Sequence, residues 1–314
     1  MNSANLRAFF IAFVASMPFW WGMDVFADST RSFFEWRALA STPSLLLAQA
    51  AGDKLADEVR AQRPIRKPSS APFATPARGA FAIFLSNEGR QKILFEREST
   101  RAFPIASLTK LMTAFVVLER YPLEQSVREG ALGDVFSVRD LLYPMLIESS
   151  NEAATALANM AGSGAFVALM NEEARNIGMT ETRFVNPTGL DGESSFALYN
   201  RASARDIALL IQTLLQKYPQ IFDILSLKEF DLYRADGTFH HTLRNTNELL
   251  EYAEWPTNIV GGKTGFTLQA KGCLALVIRS PKDKGYLVTV VLGSDDRFEE
   301  TKRMIDWALY SHWW

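Results

Sequence analysis

The sequence predicts an α+β domain: an α/β sandwich whose antiparallel sheet is flanked by helices and carries an inserted, mostly helical subdomain. Three observations predict it. β-rich runs stand at both ends of the region from residue 80 onward, over about 79–99 and 259–294. The stretch between them has helical apolar spacing broken by cap and turn residues. A last helical pattern follows the final β-rich run, with Phe298, Met304, Ile305 and Leu309 on one face.

The elements follow in order. Arg7 precedes an apolar stretch over residues 8–22, and Val25-Phe26-Ala27 offers small residues at the two positions a signal peptidase reads. Residues 1–27 are therefore read as a cleaved signal peptide or an uncleaved N-terminal membrane anchor, a span of marginal length. Ala48-Gln49-Ala50 is a second, weaker processing site. Residues 28–79 turn Pro-, Ser- and Arg-rich and read as an extended tether, although 31–60 retain helix-like apolar spacing. A catalytic domain is expected over 80–314, a length that suits one core.

Within it, "GAFAIFLSN" and "RQKILFERES" meet around Glu88-Gly89 as a hairpin. A helix is predicted over 107–120, where no Gly or Pro interrupts the apolar run. "SVRDLLYPML" reads as a helix that Pro144 ends or kinks, and helices follow near 152–161 and 165–176. The segment 184–200 holds enough Gly, Pro and Asn to be a loop. Ser203 caps a helix to about Gln216, and "IVGGKTGFT", "CLALVIRS" and "YLVTVVLGS" are three strands of an antiparallel set.

Three short strings carry the chemistry. They are Ser107-Leu-Thr-Lys110, then Ser149-Ser-Asn151, then Lys263-Thr264-Gly265. Each alone is weak, since S-x-x-K also describes a capping serine and a surface lysine. Their order and settings are informative. Ser107 falls in the first helical turn, where unpaired N–H groups and the helix dipole favour developing negative charge. A spacing of three puts Lys110 on the same face. A serine hydroxyl needs a base to become a nucleophile, and Lys110 can serve if burial and a nearby cation such as Lys263 lower its pKa. Ser149 and Asn151 supply a second hydroxyl and an amide. Either can also be read as a helix N-cap.

Other chemistries fit poorly. His240 and His241 are adjacent and His312 lies near the end, so none is well placed for a Ser-His-Asp triad. Cys273 sits in an apolar run and reads as a small buried hydrophobe. No Cys/His set has zinc spacing, no metal site is indicated, and no phosphate-cradling motif calls for a nucleotide or other cofactor. A formal net charge of −2 leaves no nucleic-acid footprint.

The ordered set S-x-x-K, S-x-N, K-T-G is shared by class A β-lactamases and penicillin-binding proteins. Here the wider context resembles the low-molecular-weight penicillin-binding proteins, the serine-type D-alanyl-D-alanine carboxypeptidases. The resemblance rests on "FPIASLTKLMTAFVVL" from Phe103, "SSNEAATALANMAG" from Ser149, "FVALMNEEARNIGMTETRFVNPTGLDG" from Phe166, "SARDIALLI" from Ser203, "GGKTGFTLQAKGCLAL" from Gly261 and "VLGSDDRFEETKRMIDWAL" from Val291, and covers about residues 80–307.

The resemblance implies an active site at the seam between sheet and helical subdomain. It implies that Ser107 forms an acyl-enzyme with a peptidoglycan stem peptide ending in D-Ala-D-Ala. Lys110 would be the base. Ser149 would relay a proton to the leaving amine, and Asn151 would hold the substrate backbone. The N–H groups of Ser107 and Phe266 would form the oxyanion hole, with Lys263, Thr264 and Arg297 receiving the terminal carboxylate beside Gly265. β-Lactam antibiotics would acylate Ser107. Action would be extracytoplasmic, in the cell envelope, by a protein that is secreted, periplasmic or tethered through its N-terminus. Many relatives carry a β-rich domain and a membrane helix after the catalytic domain. This chain ends at "WALYSHWW", so any membrane attachment is expected at the N-terminus, while Trp313 and Trp314 suit an interface or core packing. Two alternatives stand beside this reading. One is a β-lactamase, which would need a water-directing glutamate; Glu193 and Asn200 are not in the usual E-x-x-x-N spacing. The other is a catalytically silent envelope-binding protein. Endopeptidase action on cross-links is a variant of the main reading.

Overall fold

The computed structural model describes residues 64–129, 133–192, 199–252 and 254–314, with residues 26, 29–33, 37 and 52. The N-terminal signal or anchor and Glu193 lie outside the described residues. Among the described residues no single helix is long and apolar enough to cross a membrane.

The centre of the sheet forms because its inner strands are apolar on both faces. Strands β2 (Gly79–Ser86), β3 (Gln91–Arg97), β10 (Ile259–Thr267), β11 (Lys271–Arg279) and β12 (Gly285–Ser294) pair antiparallel in the order β10-β11-β12-β2-β3. Along β11, Leu274, Leu276 and Ile278 face one cluster with Ile305, Ala308 and Leu309. Cys273, Ala275 and Val277 face the larger cluster, with Leu111, Phe115 and Ile207. Period-two alternation between two buried faces gives the continuous apolar run that marks a covered strand. Helix α7 (Arg297–Tyr310), capped by Asp296 accepting from the Glu299 N–H at 3.0 Å, covers the first face.

The chain between β3 and β10 makes the helical subdomain. A 3₁₀ turn over Ala106–Leu108 leads into α1 (Thr109–Arg120), which is buried from Thr109 to Val117. A helix apolar all round belongs in the interior; each fully buried Leu, Met or Phe contributes about 1.5–3 kcal/mol of transfer free energy. Around it lie α2 (Val138–Leu146), α3 (Asn151–Asn159), α4 (Ser163–Asn176) and α5 (Ala204–Lys217). Ser203 caps α5, accepting from the Asp206 N–H at 3.1 Å. Pro144 falls in the last turn of α2, which ends at Leu146.

Two elements were not anticipated. Ribbon β5 (Ser126–Glu129) with β6 (Asp134–Ser137) is short and polar. The hairpin of β8 (Glu229–Tyr233) and β9 (Phe239–Arg244) turns around Asp236-Gly237, a readable turn signal between β-rich runs. Residues 64–79 also differ from the expected tether. β1 (Ile65–Arg66) pairs with β13 (His312–Trp313), and Thr75 and Ala77 are buried. One compact unit therefore runs from Pro64 to Trp314, its start ahead of the expected Ala80. Composition misleads there because Pro- and Ser-rich chain can lie against a surface as readily as swing free. Trp314 is buried and Trp313 half-exposed.

Candidate active site

The site gathers where α1, the α2–α3 link, the 184–192 loop and β10 converge. Ser107 lies in the 3₁₀ turn rather than within α1, whose first residue is Thr109. Lys110, one turn on, is fully buried. Its ammonium nitrogen donates to Ser107 Oγ at 3.0 Å, Asn151 Oδ1 at 2.8 Å and the Thr188 carbonyl at 2.6 Å. Three acceptors hold the amine against the nucleophile.

Burial, more than a neighbouring cation, pushes Lys110 down to about 7. This corrects the expectation that Lys263 shares in lowering it. The influence runs the other way: Lys263 is fully buried and held well below the ordinary ammonium range by burial, then by the charges of Lys110 and Arg297. Desolvation penalises the charged form, and crowding of cations adds to it.

The sign for catalysis follows. A general base must be neutral, so activity falls as pH drops through about 7 and Lys110 gains its proton. Stopped-flow acylation by a chromogenic β-lactam over about pH 5–9 is expected to rise with pH on a limb centred near 7, about tenfold per unit well below it. A limb centred near 10 would remove Lys110 from that role.

The middle motif is arranged differently from the cap reading. Ser150, not Ser149 or Asn151, caps α3, accepting from the Ala153 N–H at 3.1 Å. Ser149 is thereby freed. Its φ is 68°, in the left-handed region, and its buried hydroxyl has no hydrogen-bond partner among the described residues. An orphaned, strained hydroxyl beside a base is a candidate functional group. Lys110 bonds Asn151 and not Ser149 in this arrangement.

On the facing side, β10 is the sheet edge, with Lys263 and Thr264 buried and Phe266 60% exposed at the rim. A Cβ on Gly265 would stand 3.0 Å from Ser107 N and from the Ile105 carbonyl, so only glycine lets the strand approach the nucleophile turn this closely. Ser107 N and the Gly265–Phe266 backbone thus face one space. Arg297, first residue of α7, lies beside Gly272, stacks over Phe298 at 4.5 Å and leaves its buried Nε unpartnered. Lys263 and Arg297 together make an anion-seeking end.

Sequence reasoning missed three supports. Thr188 lends a backbone carbonyl to Lys110. Asn200 is buried and ties the loop to α1, accepting from Val185 N at 2.7 Å and donating to Thr109 Oγ1 at 2.9 Å. Thr246 shares a hydroxyl contact with Thr264. Cys273 is buried as expected, its thiol pushed up to about 11 and so protonated. Among the described residues no His, Cys, Asp or Glu cluster is arranged to hold a metal ion.

Comparison with known proteins identifies the family. A family profile described as D-alanyl-D-alanine carboxypeptidase, peptidase S11, matches residues 70–296. The D-alanyl-D-alanine endopeptidase of Pseudomonas aeruginosa is 34% identical over 72% of this chain and 76% of its own length. The carboxypeptidase DacC of Escherichia coli is 33% identical over 74% of this chain and 62% of its own length. Penicillin-binding protein D2 of Listeria monocytogenes, solved with ampicillin bound, superposes with a TM-score of 0.65 at 27% identity, covering 76% of this chain and 99% of that one.

Proposed function

The chain belongs to the D-alanyl-D-alanine carboxypeptidase family of serine peptidases, and from that premise we propose that it cleaves the terminal bond of peptidoglycan stem peptides ending in D-Ala-D-Ala. Neutral Lys110 takes the proton of Ser107 Oγ as that oxygen attacks the penultimate D-alanyl carbonyl. The N–H groups of Ser107 and Phe266 hold the oxyanion, each such donor contributing about 3–4 kcal/mol to the transition state. Ser149 gives its hydroxyl proton to the departing amine of D-alanine and regains one from protonated Lys110, which returns to the neutral form. Asn151 fixes Lys110 through Oδ1, leaving its Nδ2 to donate to the substrate backbone. The terminal carboxylate meets Lys263, Thr264 and Arg297, and its negative charge favours the cationic form of Lys263 against the burial that disfavours it. Water then resolves the acyl-enzyme, with Lys110 again the base.

The observation that carries this reading is the 3.0 Å contact between Lys110 Nζ and Ser107 Oγ, with burial holding the amine down to about 7. The relatives named as endopeptidases favour one variant, in which the same site opens D-alanyl cross-links. The catalytic unit spans the compact body from Pro64, and the substrate places its action outside the cytoplasmic membrane, reached by a cleaved or retained N-terminal segment.

The test is peptide-mapped mass spectrometry of the purified protein with benzylpenicillin, beside chromatography of a D-Ala-D-Ala pentapeptide and a cross-linked dimer. A lasting adduct on the peptide holding Ser107, with free D-alanine from the pentapeptide, is the expected result. Preferential scission of the dimer would move the assignment to the endopeptidase. Rapid turnover of the drug without an adduct would make it a β-lactamase.

A further inference from the structure

Five side chains outside the described chemistry form one chain of contacts next to Ser149. His241 on β9 meets Glu148 through Nε2, 3.1 Å from Oε2. His241 and His240 meet through their Nδ1 atoms. His240 Nε2 lies 3.4 Å from Asp134 Oδ2 on β6, and Arg234 Nε donates to Asp134 Oδ1 at 2.9 Å. Phe136 stands edge-on to the His240 ring at 5.5 Å. The two rings are 27% and 40% exposed, and Asp134 and Glu148 are 40% and 32% exposed. Asp231 of β8 accepts from Thr242 Oγ1 at 2.6 Å, one residue along from His241.

A ring nitrogen that faces a carboxylate donates to it, so Nε2–H of His241 meets Glu148 and Nε2–H of His240 meets Asp134.

Glu148 immediately precedes Ser149, whose backbone sits at a φ of 68°. The same hairpin exit holds the loop again, with Thr246 N donating to the Ile147 carbonyl at 3.1 Å. Ser149 has no hydrogen bond of its own to fix its hydroxyl. Its position is thus set by what grips its neighbours.

We propose that His241 is a positioning residue for Ser149: it clamps Glu148, with His240 and Asp134 holding the ring in its donating state. The inference rests on the role given to Ser149 above. Gln can present an amide N–H to Glu148 where His presents Nε2; Ala cannot.

The test compares wild type with His241→Ala, His241→Gln and Ser149→Ala in the full-length protein. D-Alanine release from a peptide ending in D-Ala-D-Ala gives kcat and KM across about pH 5–9, and thermal unfolding is followed alongside. His241→Ala is expected to lower kcat about tenfold at nearly constant KM, a fraction of the loss from a full ångström of misplacement. His241→Gln should recover most of it. Unchanged kcat in His241→Ala, with Ser149→Ala impaired, overturns the clamp alone. Should His241→Ala not fold, a folded His241→Gln whose kcat falls tenfold or more overturns it, since that variant keeps a donor to Glu148. Full activity in Ser149→Ala overturns instead the role given to that serine.

Discussion

Exchanging Ser107 for alanine should abolish both the penicillin adduct and D-alanine release, and exchanging Lys110 for alanine should cost nearly as much. Each loss is expected to reach at least about 10⁴-fold in kcat, and the double variant should be hardly worse than either single one, because nucleophile and base act as a unit. The structure gives the reason. Lys110 has Ser107 Oγ at 3.0 Å and is fully buried, so no solvent base can stand in for it. Lys110→Ala also removes the partner of Asn151 Oδ1 and the Thr188 carbonyl, leaving buried acceptors unpaired. The unfolding midpoint should therefore fall in Lys110→Ala and change little in Ser107→Ala. Steady-state release of D-alanine with thermal unfolding reads both. Substantial turnover by either single variant would overturn the assigned pair.

Gly189→Ala should inactivate the protein although Gly189 carries no chemistry. Its φ is +88°, and a Cβ there would stand 2.0 Å from the Ala106 carbonyl oxygen and 2.9 Å from Ser107 N. No rotamer relieves a clash between a Cβ and backbone. The loop must withdraw, taking with it the Thr188 carbonyl that holds Lys110 at 2.6 Å. Displacement of about an ångström is worth on the order of 10²-fold in rate, and the backbone strain alone costs about 1–3 kcal/mol. Gly178→Ala is the control. Its φ of +90° matches, but the nearest atom to a Cβ there is 3.7 Å away. It should lose stability by the dihedral cost and keep its acylation rate. Equal acylation by both variants would show that the Gly189 approach does not hold the site.

Much of this was readable because the sheet is covered on both sides. β11 and β12 announce themselves as unbroken apolar runs, and the three motifs fall at the start of the nucleophile helix, at the start of α3 and within β10. Chemistry carried by main chain was not readable. The Thr188 carbonyl that completes the Lys110 cradle could come from almost any residue type. Asn200 shows its role only after folding brings it to Asn186 and Thr109, distant in sequence. The cap on α3 fell on Ser150 because Ser149 adopts left-handed dihedrals that a capping residue does not use. Residues 64–79 read as linker from their composition, yet Thr75 buries its hydroxyl against Glu300 at 2.5 Å, a contact that no local pattern encodes.

The short ribbon joining Ile65–Arg66 to His312–Trp313 has a mechanical consequence. Tension entering the compact body at Pro64 meets this ribbon first. Lys67 reinforces it, donating its N–H to the Ser311 carbonyl at 2.9 Å and its ammonium to the Tyr310 carbonyl at 2.7 Å. Load is thereby delivered to the far end of α7, away from Arg297 at its beginning. A pull on Pro64 would thus be taken up at the opposite end of α7 from the site.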